Sequence, residues 1–588
     1  MDDPIRRGDR DRAARRQGGG PTTEVTTYSY FGNVAVGLCE GPIAAIRRIW
    51  ADGEEMDLSD IDIRVYRGDE EQLPDPLIEV KQGAGKAPAY RGLAYLVFER
   101  LALERYGNRI PQISCEVLRP IGRLEEEIRA VTIIPGASEH GLDPRRVREE
   151  LAEGEDRLVN RNVLNGDSDI EASIDELAAL CPQLERAALV VSWFGDDLRA
   201  GHCRVRPKVE VRVRHENEDW RVSGLSRGDA EVVSSFDGGP VFGGTPSDSG
   251  VLKAIGALKD RGLKVTYYPF LLMDVPPGNG LPDPDGGAEQ AAFPWRGRIS
   301  LDVAVGRAGS ADGTAAARSA VEAFLGTAAS GDFSVSGSRV NYSGPAEWSY
   351  RRMIFHQAHL AAAGGADAFV IGSELRGLTR IRDDEGRFPF VEGLIAIAEG
   401  VKEILPDAVV TYAADWSEYF GYHPDDGTGD VFFNLDPLWA SPAIDAIGID
   451  NYLPLTDWRD GDENPAASSI YDRDGLKAGI AGGEYFDWYY ASETDRAEKH
   501  RTPITDGAHG KPWVFRPKDL VSWWSNPHLE RRSGVELAEP TAFVPMAKPI
   551  WLTEARLPGD RQGRQPAEPL RRSEILRERL AAFLDRRA

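Results

Sequence analysis

Residues 368–374 read AFVIGSE and residues 549–554 read PIWLTE, two short apolar runs that each stop on a glutamate, Glu374 and Glu554. An apolar run of this length bounded by turn signals reads as a buried strand, and packing alone gives no reason for a carboxylate at its end. Ahead of the first run stands YRRMIFHQAHLAAAGG (350–365), an amphipathic helix with a Gly-Gly stop. Behind it VEGLIAIAEGVKEILP (391–406) leads into AVVTYAADWSE (408–418), and DAIGIDNYLPL (445–455) follows. Upstream, ALVVSWFGD (188–196) precedes the helix SGVLKAIGALKDRG (249–262), which runs directly into LKVTYYPFLLMDV; RISLDV (298–303) reads as a third strand. About seven strand–helix units imply a parallel sheet closed as a (β/α)₈ barrel. No GxGxxG or GxxxxGK[ST] follows a strand, which disfavours a nucleotide-binding α/β fold.

In such a barrel the chemistry sits at the C-terminal strand ends. Those ends carry Asp196, Asp274, Glu374, Asp415, Asp450 with Tyr452, and Glu554; Trp193, Trp416 and Trp458 lie near them as candidates for stacking on sugar rings. Strand-end acids also cap helices or pair with arginines such as Arg376 and Arg556. Two glutamates closing strands four and seven are harder to explain that way. Glycosidic cleavage needs two carboxyl groups across the bond, one protonated and one ionised.

Other classes fit poorly. A net charge of −25 opposes nucleic-acid binding, and no Lys/Arg block interleaved with aromatics marks a local basic patch. There is no run of eighteen apolar residues, and the charged start MDDPIRRGDRDRAARRQGGG has no apolar stretch of a secretory signal. Synthesis in the cytoplasm is expected. Cys39, Cys115, Cys181 and Cys203 have neither metal-type spacing nor the density of a disulfide framework. His356 and His359, three apart on an apolar helix, read as packed residues, and HPDDGTGD (423–430) lacks the ligand spacing of a calcium loop. No metal or cofactor is expected, and no nucleophilic serine elbow is visible.

By texture the chain divides into a flexible linker (1–27), a small α+β or mostly β module (28–120), a helical connector (121–185), the barrel (186–554) and a divergent Arg-rich tail (555–588) with a helix over 573–587.

AFVIGSE resembles the strand-four glycosidase motif that ends in the acid/base glutamate, PIWLTE the strand-seven motif that ends in the nucleophile, and IGIDNYLPL the strand-six segment with its tyrosine. More broadly, YSYFGNVAVGLCEGPIAAIRRIWADG, GGTPSDSGVLKAIGALKDRGLKVTYYPFLLMDVP, YAADWSEYFGYHPDDGTGDVFFNLDPLWA and GKPWVFRPKDLVSWWSNPHLERR resemble the large baseplate or host-specificity protein of gene transfer agents and related phage tails. The resemblance implies a phage-tail module at 28–120 and a glycoside-hydrolase TIM-barrel-like domain. It assigns Glu374 as acid/base and Glu554 as nucleophile of a retaining mechanism, with Tyr452 bonding the nucleophile. It also implies other tail and baseplate proteins and a bacterial envelope glycan as partners, in a phage-like particle. After Glu554 the sequence departs from the family's pattern and shows no eighth strand, so a barrel lacking strand eight is expected, as from a fragmentary or frameshifted gene. A non-catalytic, glycan-binding tail protein is the alternative; a free-standing cytoplasmic glycosidase fits the module at 28–120 less well.

Overall fold

Among the described residues, the parallel sheet that the strand–helix repeat requires is built from seven strands. They are β1 (Ala130–Ile133), β2 (Arg186–Gly195), β3 (Lys264–Met273), β4 (Ala368–Ser373), β5 (Val409–Asp415), β6 (Ile447–Asn451) and β7 (Ile550–Ala555). Each pairs in parallel with the next in chain order. The computed structural model describes residues 5–6, 28–135, 138–458, 468–469 and 471–555. Nearly all of the 1–27 linker and all but the first residue of the 555–588 tail, with its expected helix, lie outside the described residues.

Crossover helices cover the outside of the sheet. They are α1 (Asp169–Leu180), α2 (Asp248–Asp260), α3 (Ala315–Leu325), α4 (Tyr350–Gly364), α5 (Arg376–Thr379), α6 (Pro389–Ile404) and α7 (Asp436–Ala440). Their starts follow local chemistry: Ser168, Ser247, Thr314 and Ser349 each accept a backbone N–H of the first turn of α1, α2, α3 and α4. Because strand side chains alternate, β2, β3 and β4 turn Leu189, Val191, Tyr267, Phe369 and Ile371 out into the helix layer. Val190, Tyr268, Val370 and Ala413 fill the barrel interior with Ala188 and Phe270. Full burial of each large apolar side chain contributes about 1.5–3 kcal/mol.

Two expectations are corrected. RISLDV is not a barrel strand. Residues 296–298 form a 3₁₀ turn, and Ile299 and Leu301 are buried from a loop, with Ser300 bridging to Arg199. The alternation that suggested a strand is met by burial and this single bridge. The connector is corrected too, since among the described residues of 121–185 only 124–127 and 169–180 are helical. Between them β1 pairs with the first half of β2, Ala130 opposite Arg186 and Ile133 opposite Leu189. A strand gained at the front offsets the one lost at 298–303, so Glu374 still follows the fourth strand and Glu554 lies in the seventh.

Among the described residues no strand joins β7 back to β1, so the barrel is nearly closed with seven strands. At this seam the guanidinium of Arg186 lies over the Trp551 ring, 5.3 Å from its centroid, and bonds Thr266 Oγ1 at 3.1 Å. Leu552 on β7 is 51% exposed, as expected of an edge.

Residues 28–120 form two three-stranded antiparallel sheets. One contains Phe31–Glu40, Leu93–Ala102 and Asp62–Tyr66; the other contains Glu54–Glu55, Ala45–Ala51 and Ile113–Leu118. Ile49, Leu96, Phe98 and Leu101 make their shared core. Arg161 holds this unit to the barrel through Asp57 at 2.6 Å, and Arg47 through Glu176 of α1 at 3.4 Å. No helix among the described residues is long and apolar enough to cross a membrane.

Candidate functional site

The backbone at the end of β4 is forced into an unusual path. The register with β5 shifts between Val370 and Ser373, and Glu374 has φ of 51°, a left-handed conformation rare for a side chain of its size. Gly372 makes the bend possible. It lets the Tyr350 hydroxyl donate to Ile371 O at 2.8 Å, in space that a Cβ at 372 would occupy. Glu374 N then bonds Ala413 O at 2.8 Å, and Leu375 N bonds the Tyr412 hydroxyl at 2.8 Å. Such bulges re-aim side chains beside functional sites.

The Glu374 carboxylate is buried and held by a loop that follows β3. Trp295 donates its indole Nε1–H to Oε2, and Arg296 Nη2 stands 3.0 Å from the same oxygen. Arg296 is itself buried, donates from Nε to Ser373 O at 2.7 Å, and stacks on Phe270 at 3.9 Å from the ring centroid.

Across the rim, Asp415, Asp450 and Glu554 stand in one row on β5, β6 and β7 as successive register partners. The Tyr452 hydroxyl donates to Glu554 Oε2. Asp450 is fully buried among the hydroxyls of Thr553 at 2.7 Å, Ser373 at 2.9 Å and Tyr268 at 3.3 Å. Burial raises its pKa well above the carboxylate range, and the charges of Glu554 and Glu374 add to the effect. Both glutamates therefore act on one buried acid between them. Burial, with the charge of Glu374, lifts Asp415 to about 6; burial lifts Glu418 to about 7 against hydrogen bonds from Thr379, the Asp415 amide and Tyr412.

The family model described as "GTA TIM-barrel-like domain" matches residues 348–570. This stretch is similar to that family. Within its described part lie β4 to β7 and with them Glu374, Asp415, Asp450, Tyr452 and Glu554, whereas Trp295 and Arg296 reach the site from outside it. Among solved structures, a chain from the virion of a native gene transfer agent particle is 47% identical over 19% of this chain and 27% of that chain, with a TM-score of 0.17. The chain thus spans about a quarter of that relative. A GH113 β-1,4-mannanase is 16% identical over 50% of this chain and 59% of its own, with a TM-score of 0.24. The GH113 β-mannanase AaManA from Alicyclobacillus acidocaldarius, in complex with ManMIm, is 17% identical over 50% and 57%, also at 0.24. At such TM-scores these overlays place no residue. No curated protein matches the chain.

Around these strand ends the remaining candidates divide. Trp416 packs with Leu453 and Tyr485 beside Tyr452, close to the acidic row. Trp458 is half-buried, its amide on Thr456 Oγ1 at 3.1 Å. Trp193 points the other way. It is buried in the helix layer, edge-on to Trp348 and 5.3 Å from the His356 ring, because odd-numbered residues of β2 face outward. Asp274 is committed to Lys208 at 2.7 Å and Asp196 to the Arg204 amide at 2.8 Å, both structural bonds. His356 bonds Asp248 at 3.0 Å and His359 the Ser330 carbonyl at 3.0 Å.

Sequence reasoning missed Trp295 and Arg296, which sit in a loop with no periodicity; an adjacent Trp-Arg pair soon after a strand was the one available signal. It also missed Glu139, His140 and Glu216, whose ligand atoms cluster closely enough for a metal ion. Arg227 pairs with both glutamates and Arg214 with Glu139, so guanidinium groups already supply the compensating charge there.

Proposed function

We propose that this chain is a component of a gene-transfer-agent-like particle whose barrel hydrolyses a glycan of the bacterial envelope with retention of configuration. The observation that carries the reading is the placement of Glu374 after β4 and Glu554 within β7, both acting on Asp450, with Tyr452 bonded to Glu554. In this reading Glu554 attacks the anomeric carbon while Glu374 gives its proton to the leaving oxygen. The glycosidic C–O bond breaks as a glycosyl–Glu554 ester forms. Glu374 then takes a proton from water, which attacks the same carbon and releases Glu554. Tyr452 holds Glu554 in line. Other particle proteins are the partners of the two-sheet module at 28–120, and a tail tip crossing polysaccharide or peptidoglycan is where such an activity is useful.

A second reading keeps the site for binding alone. It is favoured by Oε2 of Glu374, which Trp295 and Arg296 already hold as a receptor would. Hydrolysis of peptidoglycan and of a mannan and glucan panel by purified protein separates the two, with Glu374→Gln as control. Release of sugar that the variant abolishes supports the enzyme. Glycan binding by a folded chain with no release in any arm leaves the receptor.

A further inference from the structure

A cavity lined by Trp295, the partner of Glu374, has a volume of about 530 Å³ and an arginine-rich wall that the catalytic proposal does not use. It opens between the loop after β3, helix α5 and the loop after β5. Trp295, which bonds Glu374, and Ser417, which bonds Asp415, belong to its lining, whereas Glu554 and Tyr452 do not.

Five arginines face this space: Arg298, Arg307, Arg376, Arg380 and Arg382. Two are neutralised, Arg298 by Asp285 at 2.6 Å and Arg382 by Asp312 at 2.6 Å. Arg307 and Arg380 have no ion pair among the described residues, and Nε of Arg380 is buried without a hydrogen-bond partner. Arg376 lies one turn before Arg380. Burial first, and then the positive charge of Arg380, pull its pKa down to about 10 against the charges of Asp415 and Glu418. The acids that line the cavity do not restore the balance. Asp285 is already paired, Glu418 is lifted to about 7 by burial, and Asp425 and Asp426 are exposed at the rim. A chain of net charge −25 otherwise repels anions, so this wall is a local exception.

We infer that the cavity is a sugar subsite for an acidic glycan, in which Arg307 and Arg380 bind the carboxylate of a ring while Trp295 and Tyr422 offer aromatic faces to it. The inference rests on the glycan reading above and narrows its substrate class. A guanidinium fork matches a carboxylate in geometry and charge, and a neutral hydroxyl uses neither advantage.

The test measures binding to the full chain by calorimetry, using glucuronate-, galacturonate- and muramic-acid-containing oligosaccharides, each beside its carboxyl-reduced neutral twin. The expected result is that at least one acidic member binds about tenfold more tightly than its twin. This preference shrinks as salt is raised. Arg307→Gln with Arg380→Gln reduces the preference to within about threefold and leaves affinity for the neutral twin unchanged. Should the double variant not fold, the wild-type preference and its salt dependence decide the matter. Equal affinity for acidic and neutral twins overturns this inference while leaving the glycan reading intact. Failure of every oligosaccharide to bind overturns both.

Discussion

Nη2 of Arg296 stands 3.0 Å from Oε2 of Glu374, so a buried guanidinium from the loop after β3 fixes the carboxylate that ends β4. Removing one member of such a pair leaves the other charge buried and uncompensated, at a cost of about 3–5 kcal/mol. Arg296→Met is therefore expected to lower the midpoint of chemical denaturation markedly, more than Arg298→Met, whose pair with Asp285 is half-buried. Equal losses in the two variants would show that the Glu374 contact carries no special weight.

Tyr452 is expected to act through Glu554. Tyr452→Phe removes the hydroxyl that donates to Oε2 and keeps the ring packed against Trp416 and Leu453. Under the enzyme reading turnover falls by about 10- to 100-fold while the denaturation midpoint barely moves. A loss confined to substrate affinity, with turnover intact, would assign the tyrosine to binding.

Gly372 and Tyr350 make a testable steric pair. A Cβ at position 372 collides with the Tyr350 hydroxyl, so Gly372→Ala should destabilise the protein by about 1–3 kcal/mol. Tyr350→Phe removes the colliding atom and loses only the bond to Ile371 O. The double variant is thus expected to be more stable than Gly372→Ala alone. Simple additivity of the two losses would locate the strain elsewhere.

The acids after β5 give a pH signature. Glu418 has its folded pKa raised to about 7, above the ordinary value of 4.5, so the folded chain holds a proton that the unfolded chain releases between those values. The stability this proton gives is present below about 4.5 and is lost as pH rises to about 7. Asp415, raised to about 6, acts in the same direction. Glu418→Gln stays neutral throughout. The stability of the variant minus that of wild type should therefore rise between about pH 5 and pH 8. A flat difference across that range would mean that Glu418 is ionised in the folded protein.

The strand ends at 374, 415, 450 and 554 were legible because each follows an apolar run, and a run of that kind has few structural uses besides a buried parallel strand. β1 was not, since AVTI is four residues long and sits between charged segments where helical periodicity dominates. Trp193 was misread because its nearness to a strand end gives no direction; only the alternation within β2, fixed by its pairing with β3, turns it into the helix layer.

By itself the sequence determined the parallel barrel, the two strand-end glutamates and the tyrosine beside them, since hydrophobic periodicity is a local property that burial enforces. Tertiary structure alone decided which strand comes first and that Trp295 and Arg296 close on Glu374. It also decided that Asp450 stands between two glutamates 180 residues apart, and that Arg307 and Arg380 share a cavity with Trp295. Those relationships join segments far apart in the chain, where distance and desolvation, set only by the closed packing, govern the chemistry.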